Sequence, residues 1–498
     1  MRRAPIVIAL SALVAVPACS DDDMSTAATT AASGSTATTN PADPFEWEDF
    51  GSTGQVQTGH LIVPVDYDDP SLGTFDLFVA RHLADPDQRI GSLLVNPGGP
   101  GFGGSDFAIQ ADQVYSPDLL ARFDIIGWDP RGTGLSEPAI DCVDDYDHFY
   151  AELDITPDDD AERQAIIDTA KEFADACVAE NADIIQHIGT NDSARDMNAI
   201  REALGEDKIS YFGFSYGSEL GAAWVTMFPD TVRAAVLDGA VDPTADFAEQ
   251  GLQQSKGFED SFQAFLDQCA SDTTCAFYND GDPGGAYDAL MVALDANPAA
   301  TADGRPPVNL QVLSTAVAEA MYSESSWPTL AQALADAQDG KGDGLLALYD
   351  EYFGRGEDGS YDDSLEAFQT IACMDTADRL TVEQEDALTQ QFLDVAPRIA
   401  PGTTGSYFCT FFPPTDDPRV DITGKGAGPI LVMGTTGDPA TPLEGTRTMA
   451  KSLEDGRLVI VEGQQHTGYW VSDCSMSIVD QYLIDPVANT PADGTRCG

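Results

Sequence analysis

Gly213-Phe214-Ser215-Tyr216-Gly217 constrains this chain more than any other stretch, because of what flanks it. Before it runs Lys208-Ile209-Ser210-Tyr211-Phe212, short, apolar and β-favouring; after it, Ser218 to Phe228 is rich in helix formers and stops at Pro229. A strand that bends sharply into a helix around G-x-S-x-G presents its serine hydroxyl at the top of the bend. The two glycines remove side chains that would obstruct so tight a turn, and the serine is left in a strained backbone conformation. The helix that follows adds unpaired amides and a partial positive charge beside the hydroxyl. Taken alone the pentapeptide is a Gly-Ser turn, so its chemical reading depends on partners elsewhere.

A serine nucleophile needs a base, and the base an orienting acid. The elbow motif implies the chain order Ser, acid, His. Of His60, His82, His148, His187 and His466, only His466 follows Ser215. It lies on the loop Glu462-Gly463-Gln464-Gln465-His466-Thr467-Gly468, just after the buried-type run Arg457 to Val461. For the acid, Asp438 is the first carboxylate beyond the strand-like Pro429 to Gly434. Asp238, ending Ala234-Ala235-Val236-Leu237, is the competitor, and it reads as a turn or cap carboxylate. A tetrahedral intermediate also needs two amides aimed at its oxygen. Tyr216 supplies one. The other is expected from Asn96-Pro97-Gly98-Gly99-Pro100-Gly101 after the strand Gly91 to Val95; its prolines have no N–H, which leaves Gly98, Gly99 or Gly101, with Gly99 the expected donor. A phosphate cradle is ruled out there, since no lysine follows the glycines.

Strand-like runs at 61–66, 74–82, 91–96, 123–128, 209–214 and 233–238 alternate with helical or loop stretches, and continuous apolar runs suit buried parallel strands. From 243 to 425 the pattern turns to helix formers, then strands resume at 429–434 and 457–462 before a helix over Ser472 to Leu483. This predicts an α/β-hydrolase fold: a mostly parallel central sheet, built from residues 44–242 and 426–498, interrupted by a helical cap over 243–425.

Four segments, Asn96 to Gly101, Gly127-Trp128-Asp129-Pro130-Arg131-Gly132-Thr133-Gly134-Leu135-Ser136, Ala194-Arg195-Asp196-Met197 and Gly213 to Gly217, come in an order that resembles the actinobacterial tripeptidyl aminopeptidases. These belong to the prolyl-aminopeptidase branch of α/β-hydrolases. Thr436-Gly437-Asp438-Pro439-Ala440-Thr441-Pro442 is similar to the segment bearing that family's acid, and the resemblance spans about 45–498. It implies Ser215, Asp438 and His466 as nucleophile, acid and base, and a serine peptidase that cuts peptides from their free N-terminus. Recognising that amino group takes fixed carboxylates. Asp375, in Ala372-Cys373-Met374-Asp375, is the first candidate; Glu219 is the second, with service to the helix N-terminus as its alternative. Acyl-enzyme chemistry calls for no cofactor and no metal. The same triad also serves esterases and lipases. A non-catalytic peptide-binding surface lipoprotein is the reading from a different class, and the complete Ser/Asp/His set argues against it.

Composition bounds the setting. With 84 acidic against 24 basic residues the formal charge is −60, which excludes nucleic-acid binding and describes a solvated acidic surface. Arg2-Arg3 followed by the apolar Ala4 to Ala18 is a secretory signal, too short to span a bilayer. Val16-Pro17-Ala18-Cys19 resembles a lipobox, which would make Cys19 a lipid anchor on the outer face of the membrane, while Val16 and Ala18 also suit ordinary signal-peptide cleavage and secretion; residues 20–43, rich in Ser, Thr and Ala, read as a tether. Removing Cys19 from nine cysteines leaves an even set, whose spacing suggests disulfides 142–177, 269–275, 373–409 and 474–497 among the many pairings possible.

Overall fold

The computed structural model describes residues 43–302, 304–402 and 405–498; the signal, most of the tether and Cys19 lie outside the described residues. Its centre is a ten-stranded sheet in the order β1-β2-β3-β5-β4-β6-β7-β8-β9-β10. The strands are β1 (Glu48–Phe50), β2 (Val56–Pro64), β3 (Thr74–His82), β4 (Gly91–Asn96), β5 (Phe123–Trp128), β6 (Ile209–Phe214), β7 (Val232–Asp238), β8 (Ile430–Thr435), β9 (Gly456–Val461) and β10 (Thr495–Cys497). β1, β2, β3 and β5 pair antiparallel in turn, and from β5 through β4 to β10 every pairing is parallel.

Burial explains the two halves. Every residue of β4, β5, β6 and β8 is buried, as expected for strands covered on both faces. Leu93, Val95, Phe212 and Phe214 face one apolar cluster, with the helix Asp473–Ile484; Leu94, Tyr211 and Leu237 face the other, with the helices Thr190–Ala203 and Tyr216–Met227. That is the two-residue alternation of a strand. β2 lies in the antiparallel part and alternates buried with exposed, leaving Ile62 60% exposed.

Between β7 and β8 the chain folds into helices, among them Phe247–Ser271, Leu310–Met321, Asp343–Tyr352 and Ser364–Met374. Phe262, Phe265, Leu313, Val317, Leu330 and Tyr349 are fully or almost fully buried in this insertion and form a second hydrophobic core, which Tyr146 and Ala151 of the sheet half also join. Disulfides join Cys142–Cys177, Cys269–Cys275, Cys373–Cys409 and Cys474–Cys497, the pairs that spacing suggests. Arg131 is buried in the sheet half. It donates to both Asp196 oxygens (2.7 and 2.6 Å) and to the carbonyls of Pro64, Val65 and His187, so two of the four segments that carry the resemblance are two ends of one ion pair. No helix among the described residues is long and apolar enough to cross a membrane.

Candidate active site

Ser215 stands between β6 and the helix Tyr216–Met227 with φ 56° and ψ −126°, a backbone conformation that non-glycine residues seldom adopt. Its N–H donates to the Asp238 carbonyl at the end of β7 (2.8 Å), which pins the bend to the neighbouring strand. The Gly-rich loop after β4 crosses directly over it. A Cβ on Gly98 would fall 2.8 Å from Ser215 Cβ and 3.1 Å from the Tyr216 nitrogen, so only glycine lets the loop come so close. The Gly98 N–H is taken by Asn96 Oδ1 (3.0 Å), while Gly101 packs against the backbone of Ser364 and Phe368 from the insertion. Gly99, at φ +105°, lies between them. Tyr216 is the first residue of its helix, so no carbonyl of that helix accepts its amide.

His466 and Asp438 meet on the loops after β9 and β8. His466 Nδ1 lies 2.8 Å from Asp438 Oδ1 and 3.0 Å from Oδ2. A carboxylate only accepts, so Nδ1 carries the proton and Nε2 keeps its lone pair. Asp438 is 3% exposed and accepts three amides besides: Ala440 and Thr441 at Oδ1 (3.1 and 2.8 Å) and Thr467 at Oδ2 (3.1 Å). Thr441 Oγ1 also lies 3.3 Å from His466 Nδ1. His466 Nε2 is buried and has no partner among the described residues. The imidazole stands over the end of β7, where a Cβ on Gly239 would meet His466 Cε1 at 3.2 Å; the preceding residue, Asp238, holds the Ser215 amide. His466 and Ser215 therefore flank the same strand end. Burial alone would push the His466 pKa down, but the Asp438 carboxylate, with a smaller push from Asp238, outweighs it and raises it above the ordinary value.

Asp238 does more than end its strand. Its carboxylate accepts the amides of Gly468 (2.7 Å) and Tyr469 (2.8 Å), so it grips the histidine loop from beneath rather than capping the exit of its own segment. Complete burial pushes its pKa up to about 6, against the pull of those amides. The partner segment lies far along the chain, and nothing local in the sequence announces it.

The two carboxylates expected at a substrate amino group are both engaged. Asp375 follows the helix Ser364–Met374; it accepts Thr190 N at Oδ1 (2.7 Å) and Thr190 Oγ1 at Oδ2 (2.6 Å). Thr190 Oγ1 is 2.5 Å from the Tyr216 hydroxyl, so Asp375 braces the residue beside the nucleophile through one threonine. Burial lifts its pKa to about 6. Glu219 is buried on the elbow helix and paired with Arg419, whose own amide donates to the Asp375 carbonyl (3.0 Å). Sequence reasoning missed Thr190 and Arg419 altogether. Among the described residues, Asp141, Asp363 and Glu366 are the acids close enough to share a cation, and Glu366 already accepts the amides of Cys142 and Val143.

A family model described as alpha/beta hydrolase fold matches residues 91–473. Serine protease Hip1 of Mycobacterium tuberculosis is 36% identical over 483 residues, 91% of this chain and 91% of that protein. Carboxylesterase B of the same organism is 34% identical over 467 residues, 90% and 88% of the two chains. Tripeptidyl aminopeptidase of Streptomyces coelicolor is 28% identical over 471 residues, 91% and 86%. The likeness drawn from four short segments thus extends along nearly the whole chain.

Proposed function

The chain belongs to the alpha/beta hydrolase fold family and is a serine hydrolase; from that footing we propose that it is an exported peptidase that removes short peptides, tripeptides by analogy with the Streptomyces relatives, from the free N-terminus of its substrates. The hydrolytic chemistry in this reading is carried by the paired and the unpaired nitrogen of His466; the peptide substrate and the free N-terminus rest on the Streptomyces relatives. Nδ1 is fixed by Asp438, and Nε2 is buried with no partner among the described residues. Nε2 takes the Ser215 proton as Oγ attacks the peptide carbonyl. The developing oxyanion is held by the Tyr216 and Gly99 amides. The imidazolium, stabilised by Asp438, protonates the leaving amine, and water then repeats the sequence on the acyl-enzyme. Each step uses groups of this chain and water.

The helical insertion, residues 243–425, acts as a cap and restricts what reaches Ser215. A substrate ammonium would join the Asp375–Thr190 and Glu219–Arg419 groups rather than meet bare charges. Four disulfides suit an oxidising, extracellular setting. Within that setting Cys19 is the proposed lipid anchor after signal removal, with 20–43 as tether. Cys19→Ser should move the protein from the membrane fraction to the medium; mass spectrometry finding an unmodified Cys19 in the mature native protein would rule the anchor out.

The carboxylesterase relative favours a second reading, ester hydrolysis by the same triad. Digestion of a mixed peptide library, read by mass spectrometry, separates the two. Tripeptide products from free but not from N-acetylated peptides support the proposal. Internal cleavage products, or turnover of short acyl esters with intact peptides, would replace it.

A further inference from the structure

The loop that carries His466 is tied down amide by amide, and its ties come from three parts of the chain. The Thr467 amide goes to Asp438, after β8; those of Gly468 and Tyr469 go to Asp238, at the end of β7. Thr435 Oγ1 donates to the Gln465 carbonyl (2.6 Å). The amide of His466 itself has a different destination. It donates to the carbonyl of Tyr322 (3.1 Å), which caps the helix Leu310–Met321 in the insertion. The Tyr322 ring also meets the imidazole edge to face, with centroids 5.5 Å apart and planes at 73°. On its other side that ring packs against Phe258, 5.6 Å away on the helix Phe247–Ser271.

These ties matter because the loop is strained where the base sits: Thr467 has φ +66°, so the backbone beside His466 keeps its course only while its neighbours hold it. Removing the tyrosine ring would take away the aromatic face against the imidazole and leave its placement to the groups around Nδ1 and the end of β7. We infer that Tyr322 is a positioning residue for the base: the helical insertion, besides covering the site, completes the placement of His466 through this tyrosine. The inference rests on the reading of His466 as base. It implies that the active site is assembled in full only when the insertion is seated, because one wall of the imidazole belongs to the insertion.

The test compares Tyr322→Ala with Tyr322→Phe on a free tripeptide anilide and on a short acyl ester, with active sites counted by titration. Every substrate uses the base, so Tyr322→Ala should lower kcat on both by about tenfold or more, with KM for the ester little changed. Tyr322→Phe keeps the ring and the carbonyl, and should keep at least half of the wild-type kcat. Should Tyr322→Ala not fold, Tyr322→Leu fills the space without an aromatic face and should show the same loss of kcat. The inference is overturned if Tyr322→Ala raises KM for the peptide while leaving kcat on the ester intact, which would make Tyr322 a substrate wall. It is equally overturned if the Ala and Phe variants slow the enzyme alike. His466→Ala separates the two levels of the argument. If it remains active the base is elsewhere; if it is inactive while Tyr322→Ala turns over both substrates normally, only the role of Tyr322 is lost.

Discussion

The strand ends and the helical insertion contribute to one site in opposite ways. At the strand ends the parts are short-range and stiff. Ser215 follows β6, Asp238 ends β7, Asp438 follows β8 and His466 follows β9, each on a loop anchored to a fully or largely buried strand. None of Ser215, Asp438 and His466 lies in the insertion. It supplies contacts: Asp375 through Thr190 to Tyr216, Ser364 and Phe368 against Gly101, and Tyr322 on His466. Reactive groups ride on the rigid sheet, and what surrounds them comes from a segment built on the second core. This division lets one catalytic frame serve different substrates by changing the segment above it.

The largest predicted effects lie at the strand ends. Ser215→Ala should lower turnover by about 10⁶-fold, and adding His466→Ala should cost little more, because residues acting as one unit give non-additive losses. Steady-state rates of the single and double variants check this; a double variant far slower than the single one breaks the idea of a single unit. Next come the two strand-end acids. Asp438→Asn should cost on the order of 10⁴ in kcat, through the wrong imidazole tautomer. Asp238→Asn should slow the enzyme far less while destabilising the fold by about 2 kcal/mol, since its NH2 would face one of the two loop amides that the carboxylate now accepts. The opposite ranking, read from kinetics and thermal melts together, would exchange their roles.

The helical side should give smaller changes. Asp375→Asn is expected to reduce kcat/KM on free peptides by roughly tenfold and to leave short acyl esters less affected. Equal losses on both would place Asp375 with Tyr216, which it braces through Thr190, rather than with the substrate.

Much of this division can be read in the sequence, for physical reasons. β3 to β9 fall within a residue of their expected positions because apolar runs bounded by turn residues carry their own boundaries. β2 begins at Val56 rather than residue 61, since Gln57, Thr58 and His60 belong to a half-exposed antiparallel strand whose pattern is weaker. β1 and β10 are three residues each, too short to show a period. Ser215 and the Asp438–His466 pair are legible because each group is the first suitable one after a strand. The grip of Asp238 on the histidine loop, the Thr190 bridge and the reach of Tyr322 to His466 are not, because each joins segments brought together only by the fold.

The smallest prediction concerns pH and stability across both regions. Asp238 and Asp375 have folded pKa values of about 6, and Glu366, on the insertion, about 8, all raised first by burial. Unfolded carboxylates titrate near 4. Between those values the folded protein binds more protons than the unfolded one, so stability falls as pH rises from about 4 through 6 and, for Glu366, through 8. The melting temperature should therefore be higher at pH 5.5 than at pH 8 by a few degrees. A melting temperature that rises with pH over this range would show that these acids find better partners than the structure gives them.

Covalent labelling tests the central claim most directly. A fluorophosphonate should modify the native enzyme at a single serine, and peptide mapping should place the adduct on Ser215. Labelling should vanish in Ser215→Ala and slow by orders of magnitude in His466→Ala, because the probe, like a substrate, needs the base to activate the hydroxyl. An adduct on any other residue, or a native enzyme that turns over substrate without reacting, would contradict the account.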